Sequence, residues 1–355
     1  MSIGSNWNKW DLHVHTPDSI VHDYKFSDQE KKWDEYIDAL EKLPENIKVL
    51  GINDYWFLDG YKKVLEYKES GRLKNIELIL PVVEVRLKEF VGSASLNKIN
   101  YHIVFSNKLT VYEIETYFLN RIDIKANLDG NYVVFGHLCP DNFEKLGKEI
   151  ERTTPAEKRK GLPSHKEIGF NNFTIDLNKL DELLKNDYLK GKFLRIIGKS
   201  EWDDFRWEAS AGDKKSIINN CDFVFSASPT IDSATKSKQS LIVQGVNSRL
   251  LHCSDSHEFY NGTYTSKVLG HCFTWLKAEC TFEGLKQVLF ESDSRIYLGE
   301  NTPPKAVHKL DKVIIDFDDD ISIGNEKFYF SGKHEISFSS YYTCIIREKG
   351  SGKST

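Results

Sequence analysis

The chain lacks any apolar run long enough to span a bilayer, and its opening residues, Ser2 to Trp10, are too polar for a secretory signal. Neither a membrane-spanning helix nor a secretory signal is therefore expected. Paired cysteine spacing is missing too. The six cysteines (Cys139, Cys221, Cys253, Cys272, Cys280 and Cys344) are scattered, which argues against a disulfide framework and for reduced thiols in a cytoplasmic protein. There is no basic field either: 48 Lys and Arg stand against 53 Asp and Glu, a formal net charge of -5, so any contact with nucleic acid must be local. Repeats and low-complexity blocks are absent. What remains is 355 residues, 40% hydrophobic and 28% charged, the make-up of an ordinary globular protein with material for one large domain or two smaller ones.

The most informative stretch is Lys9-Trp10-Asp11-Leu12-His13-Val14-His15-Thr16. It reads as a strand that delivers two histidines, two residues apart, to one face at its C-terminal end. Neutral imidazole is a common metal ligand, so such a pair is half of a metal site. Two histidines alternating by accident is the rival reading. Thr16-Pro17-Asp18-Ser19 then breaks the strand, and Ser27-Asp28-Gln29-Glu30 opens a helix through Trp33, Tyr36, Ile37, Leu40 and Leu43. A strand at Ile47 to Ile52 leads into Asn53-Asp54-Tyr55, and a second helix begins near Asp59-Gly60-Tyr61.

Further strands are expected at Ile76 to Val83, ending at Glu84, and at Asn100 to Phe105, carrying His102. Others follow at Tyr132 to Phe135, ending at Gly136-His137, and at Phe193 to Ile197, Phe223 to Phe225 and Leu250 to His252. The last leads into Cys253-Ser254-Asp255-Ser256-His257. Short apolar strands separated by helical or loop segments predict an α/β architecture with parallel strands. Potential ligands recur at strand C-termini, the face where (β/α) barrels gather their active sites. An open sheet would not readily gather residues from so many strands. Residues 140–176 read as a polar loop or insertion over the barrel mouth, with the basic cluster Lys158-Arg159-Lys160. Thr281-Phe282-Glu283-Gly284-Leu285 opens a last helix, and Asn301-Thr302-Pro303-Pro304 marks a domain boundary.

The candidate ligands are His13, His15, His22, Glu84, His102, His137, Asp255 and His257. Each alone has a dull explanation, as a satisfied core histidine, an N-cap or a surface acid. Their recurrence at strand ends on one face is hard to explain as separate accidents. Imidazole and carboxylate ligands without a thiolate cluster suit borderline divalent ions such as manganese, zinc or iron. Hydrolysis of a phosphate ester needs such ions, which acidify water and clamp the attacking and leaving oxygens. Arg195 and Lys199 sit where cations would neutralise phosphate oxygens, although Lys199 also reads as a surface lysine. Asp11 reads as a partner that orients an imidazole.

Taken in order, His13-Val14-His15, Ile52-Asn53-Asp54-Tyr55, Val83-Glu84, Tyr101-His102, Gly136-His137 and Ser254-Asp255-Ser256-His257 resemble the PHP (polymerase and histidinol phosphatase) superfamily over about residues 8 to 260. The resemblance implies a distorted (β/α)7 barrel in residues 1–300, which would leave one expected strand outside it. It also implies metal-dependent phosphoesterase activity, either on small molecules or as a nuclease. By this resemblance, His13, His15, Glu84 and Asp255 hold one metal, and Glu84 bridges to a second held also by His102 and His137. The family's third metal corresponds to His22, His257 and a histidine after the turn aspartate, a position that Tyr55 takes here. His22 aligns only with one residue inserted after Ser19. Two ions are therefore the expectation and a third the alternative. The residues expected to serve catalysis are Glu84, Asp255, Tyr55 and Lys199, with Tyr55 either beside the substrate phosphate or simply in the core.

The final residues, Lys349-Gly350-Ser351-Gly352-Lys353-Ser354-Thr355, follow an apolar stretch from Tyr342 to Ile346. Strand, glycine-rich turn and Lys-Ser is the layout of a P-loop, in which backbone N–H groups cradle phosphates, lysine reaches the terminal ones and serine holds magnesium. Gly350, Ser351, Gly352, Lys353, Ser354 and Thr355 are the nucleotide-binding candidates, and Arg347 stands where the standard pattern has its first glycine. With the alternating Ile315, Phe317, Ile321 and Ile323, residues 301–355 read as the N-terminal fragment of an ABC or AAA-like ATPase domain. The sequence stops before the P-loop helix, so ATP and magnesium would belong to a complete ATPase.

The whole is similar to TrlF-like PHP-associated ATPases, a comparison to which Trp275 to Glu283 adds. That implies a nuclease governed by an SMC-like ATPase, with nucleic acid as substrate, homo-oligomers formed through the ATPase, and a role in phage defence or nucleic-acid repair. Two rivals stand beside it. One is a phosphatase of a small phosphorylated metabolite. The other is a barrel without turnover that serves as scaffold or sensor, a reading that Tyr55 keeps alive.

Overall fold

A computed structural model describes residues 6–91, 97–199, 211–263, 265–304, 310–317, 322–323, 326–327 and 332–338. In chain order its elements begin with β1 (Trp7–Val14), α1 (Lys32–Glu41), β2 (Ile47–Asn53), α2 (Asp59–Glu69), β3 (Leu78–Val91) and β4 (Asn97–Phe105). Next come α3 (Val111–Tyr117), β5 (Asp123–Leu128), β6 (Asn131–His137), α4 (Pro140–Thr153), α5 (Ala156–Arg159), α6 (His165–Asn172) and α7 (Leu177–Leu184). Up to Pro304 there follow β7 (Phe193–Gly198), α8 (Ala211–Asn219), β8 (Phe223–Ser226), α9 (Ile231–Val243), β9 (Leu250–His252), β10 (Thr274–Lys277), α10 (Phe282–Val288), α11 (Ser292–Arg295) and β11 (Ile296–Leu298).

Nine strands form one mixed sheet in the order β11-β10-β1-β2-β3-β4-β7-β8-β9. It curls until it nearly closes. The end of β1 meets the segment after β9 through a parallel bridge between Val14 and Ser256, where the His15 N–H donates to the Ser256 carbonyl at 3.2 Å. An α/β class is thus observed, but the strands are not all parallel. β4 runs antiparallel to both β3 and β7, and β10 and β11 extend antiparallel from the outer edge of β1. Short apolar runs carry no direction, so the sequence had no way to mark β4 as reversed.

Two apolar layers lie on either side of this wall. Outside, Leu50, Ile52, Val83, Val85, Tyr101, Ile103 and Val224 pack under the helices with Tyr36, Ile37, Leu40 and Val64. Inside, Trp10, Leu12, Val49, Leu78, Leu80, Val82, Val104, Ile196, Phe223 and Leu251 fill the ring, and Phe282, Leu285 and Val288 of α10 cap its lower end. Alternation assigns the two sets, because successive strand residues face opposite ways. β1 breaks that rule once. A register shift against β2 between Asp11 and Val14 puts both Leu12 and His13 on the inner wall, with Val14 on the outer one. Gly51 on β2 makes room there, since a Cβ would come within 2.6 Å of the Leu12 carbonyl oxygen.

Residues 106–192 form an insertion between β4 and β7. Of the two readings for residues 140–176, a loop or an insertion, the second holds: α4, α5 and α6 occupy most of the segment. Phe143, Leu146 and Ile150 provide the missed signal, at helical spacing. β5 and β6 make a separate two-stranded sheet, so the expected strand that stays out of the barrel is the one ending at His137. Beyond Pro304, Lys312–Phe317 pairs antiparallel with Gly332–Ser337. The nucleotide-binding candidates Gly350, Ser351, Gly352, Lys353, Ser354 and Thr355 lie outside the described residues.

Candidate metal centre

Where the inner wall reaches its upper rim, apolar residues give way to ligands. In β3 the inward series Leu78, Leu80, Val82 continues to Glu84, and in β4 His102 stands opposite Glu84 in register. The bulge in β1 brings His13 and His15 beside them. Asp255 arrives on the turn after β9, held in a left-handed conformation at φ 48. That turn is fixed by the Ser254 N–H, which donates to the buried Asp11 carboxylate at 3.0 Å. Asp11 therefore positions the segment that carries Asp255, and it is this turn rather than an imidazole that it orients. Burial pushes the Asp11 carboxyl up to about 6.

The separations fit a cation. His13 Nε2 lies 3.1 Å from His15 Nε2, 3.2 Å from Glu84 Oε2 and 3.2 Å from Asp255 Oδ1. His15 Nε2 lies 3.9 Å from Glu84 Oε2 and 3.5 Å from Asp255 Oδ1. Donor atoms bonded at 2.0–2.1 Å to a tetrahedral ion stand about 3.4 Å from one another. His102 adds a second observation. Its Nε2 is 3.4 Å from Glu84 Oε2, yet neither ring nitrogen of this buried side chain has a hydrogen-bond partner. Orphaned buried nitrogens are costly unless something outside the protein chain satisfies them. Two sets, His13 with Glu84 and His102, and His13 with His15 and Asp255, could each hold a metal ion.

Charge states suit that role. Burial alone would raise the Glu84 carboxyl, but the His102 and His13 imidazoles overcome it and hold Glu84 well below the ordinary carboxylate range. Against the same burial, His13 and His15 bring Asp255 down to about 2. Burial depresses His15 to about 3, which keeps its imidazole neutral with a lone pair to offer. Surrounding groups fix the ligands. Asn53 Nδ2 donates to Glu84 Oε2 at 2.7 Å, and Ser19 Oγ meets His15 Nδ1 at 3.0 Å. Asp54 accepts from the Thr16 N–H at 2.9 Å and hydroxyl at 2.7 Å, which ties the end of β1 to β2.

The remaining sequence candidates fall in different places. His257 is buried beside the first set, with Nδ1 3.6 Å from Asp255 Oδ1 and its ring 4.1 Å from that of His15. Tyr55 is buried too, and its hydroxyl meets His257 Nε2 at 3.1 Å. His22 is half-buried and packs on Tyr24 and Phe26, outside both sets. His137 does not join them. It is exposed at the end of β6, where it pairs with Asp123 of β5, because Gly-His at a strand end says nothing about which sheet the strand enters. Lys199 is buried and lines a cavity of about 350 Å³ with His13, His102, Asp255, Asn100 and Ser226. Arg195 faces the other way: its neighbours Leu194 and Ile196 take the inner wall, and its guanidinium pairs with Asp181 at 3.0 Å.

Asn53 and Arg86 were not foreseen. Asn53 follows Val49 and Gly51 in the inward phase of β2, and Arg86 follows Glu84 in that of β3. Period-two phase would have found both. Arg86 stacks 4.4 Å over the Phe170 ring, which in turn lies 4.6 Å from Tyr55.

No protein-family model matches the chain, and no curated protein matches it. Among solved structures it is similar to the crystal structure of PsfC from Pseudomonas syringae PB-5123, with 14% sequence identity and a TM-score of 0.39 over 79% of this chain and 88% of that one.

Proposed function

We propose that the chain is a metal-dependent phosphoesterase that cleaves phosphodiester bonds in nucleic acid. The observation that carries this reading is the convergence of His13 with His15 and Asp255, and of His13 with Glu84 and the orphaned His102, at the spacing of donors around an ion. Support for a distorted (β/α)7 barrel of the PHP kind comes from the ring formed by β1, β2, β3, β4, β7, β8 and β9. The ligand order along the chain also follows that resemblance, apart from His22, His137 and Tyr55.

When bound, divalent ions supply Lewis acidity to a phosphoryl oxygen and acidify a water molecule. The chain does the rest. Glu84 would help to hold an ion with His13 and His102, and Asn53 fixes its rotamer. Asp255 and Glu84, both ionised, hold the positive charge that the substrate phosphate must meet. Lys199 and Lys267 bring cationic side chains to the same cavity as His13 and Asp255, where they face an incoming phosphate. Phe225 and Cys253 form the cavity's apolar side and exclude water from beneath the ligands.

The preference for nucleic acid rests on the resemblance of residues 301–355 to the start of an SMC-like ATPase, and charge contributes nothing to it. A phosphatase acting on a small phosphorylated metabolite is the second reading. It is favoured by the cavity of about 350 Å³, at the low end of small-molecule pockets. Bound metal and hydrolysis with added manganese should be measured on nucleoside monophosphates, single-stranded DNA and single-stranded RNA. Cleavage of the polymers supports the nuclease, and release of phosphate from monophosphates alone selects the second reading. Protein that binds no metal and hydrolyses neither class in any divalent ion would leave the scaffold reading standing.

A further inference from the structure

Both nitrogens of His257 are already in use. Nδ1 lies 2.7 Å from the Asp255 carbonyl oxygen, so Nδ1 carries the proton and donates. Nε2 is then the acceptor, and it receives the Tyr55 hydroxyl at 3.1 Å. No lone pair of this imidazole is open to a cation unless Tyr55 leaves. Tyr55 is held firmly. Its backbone sits in the left-handed region at φ 58, uncommon for a bulky residue. Its N–H donates to Asn53 Oδ1 at 3.1 Å, and its carbonyl accepts the Glu84 N–H at 2.8 Å. Its ring is wedged between His15 and Phe170, with centroids 4.6 Å away on each side.

The segment bonded to the His257 backbone carries an imidazole nitrogen without a use. His22 Nδ1 is buried and has no hydrogen-bond partner. The segment that carries it is tied to His257, whose carbonyl accepts the Asp23 N–H at 2.9 Å. A neutral phenol is a poor ligand for divalent ions next to imidazole and carboxylate. We propose that Tyr55 closes a third cation position, by capping His257 Nε2 and filling the place from which a third ligand would reach the ion. The centre formed by His13, His15, Glu84, His102 and Asp255 is thereby restricted to its own two ligand sets, and His22 is left without an ion to bind. This inference rests on the metal-centre reading and concerns only how many ions that centre takes.

Metal counting tests it directly. Wild type, Tyr55→Phe, Tyr55→His and His22→Ala would each be stripped with chelator and dialysed against manganese. Bound manganese per chain is then measured by mass spectrometry, with circular dichroism to check the fold. Tyr55→Phe frees Nε2 but supplies no ligand, so it should match wild type. Tyr55→His should bind one ion more per chain, and histidine is among the residues that tolerate left-handed backbone. Adding His22→Ala to Tyr55→His should return the count to that of wild type. His22→Ala alone should change nothing, a result that can be read even if Tyr55→His fails to fold.

Equal counts in folded Tyr55→His and wild type overturn the proposal, and so does an ion lost by His22→Ala alone. A gain in Tyr55→Phe shows that the ring, still in place, does not close the position, and overturns the claim that Tyr55 fills a ligand's place. Wild type that binds no manganese fails differently: it sinks the metal centre itself, and this inference with it.

Discussion

Along β3 the inner face reads Leu78, Leu80, Val82 and then Glu84; along β1 it reads Trp10, Leu12 and then His13 and His15. The lower part of the ring is a dry floor, sealed by Phe282, Leu285 and Val288. Its upper part gathers imidazoles and acids that are buried as well, Asp255 only in part. The difference teaches which half supports which. Burying carboxylates and imidazoles together is costly unless each is paired, so the rim does not hold itself in place. The floor supplies the apolar burial, and it keeps water from below the rim, which strengthens the pull of Glu84 and Asp255 on a cation.

If that division is right, a change at the rim removes chemistry while sparing the fold. Glu84→Gln keeps the shape and the Asn53 contact but loses the charge. Hydrolysis should fall by more than about a hundredfold, the upper end of what losing only an outer partner costs. Bound metal should fall with it, and the circular dichroism spectrum should stay native. A folded Glu84→Gln protein that keeps its metal would break the comparison at its strongest point. The floor should behave in the opposite way. Leu80 is fully buried, and Leu80→Ala should cost about 2–5 kcal/mol in denaturant unfolding. Hydrolysis per bound ion should hardly move at a temperature where the variant is folded.

Between the two stands Asn53, whose Nδ2 holds Glu84 while its Oδ1 accepts the Tyr55 N–H. Asn53→Ala should weaken metal binding by about 10–100-fold without abolishing it. Competition with a chelating dye reads that loss. An affinity unchanged from wild type would mean that the floor alone orients Glu84.

Much of this division was legible in the chain. Apolar alternation ending in a polar residue located Glu84, His102 and the His13–His15 pair, and Asp255 and His257 followed β9 as a turn. Those signals are local and of period two. What escaped was set by tertiary pairing. The reversed β4 and the separate β5–β6 sheet depend on which strands meet, which is why His137 was placed at a site it does not reach. The bulge that turns both Leu12 and His13 inward leaves no trace in composition. Tyr55 was visible as a departure, but its contact with His257 was not.

Histidines sharpen the comparison at its smallest scale. His102 has neither nitrogen satisfied by the protein, whereas His252, at the end of β9, has both. His252 Nε2 meets the Ser228 carbonyl oxygen at 2.8 Å, so it donates, and Nδ1 accepts the Phe273 N–H at 3.2 Å. Protonating Nδ1 would set two donors face to face, and burial already depresses His252 to about 4. The unfolded chain binds a proton near pH 6.5 and the folded one resists it until about pH 4, so the unfolded state carries more protons between those values. Stability from this group is therefore full above pH 6.5 and lost as pH falls toward 4. The loss should be about 1 kcal/mol between pH 6.5 and 5.5. His252→Gln has no proton to gain, so the stability difference between wild type and variant should shrink by that amount over the interval in matched urea titrations. A difference that does not change with pH would show that His252 is protonated in the fold, and that unsatisfied nitrogens do not separate ligand imidazoles from structural ones here.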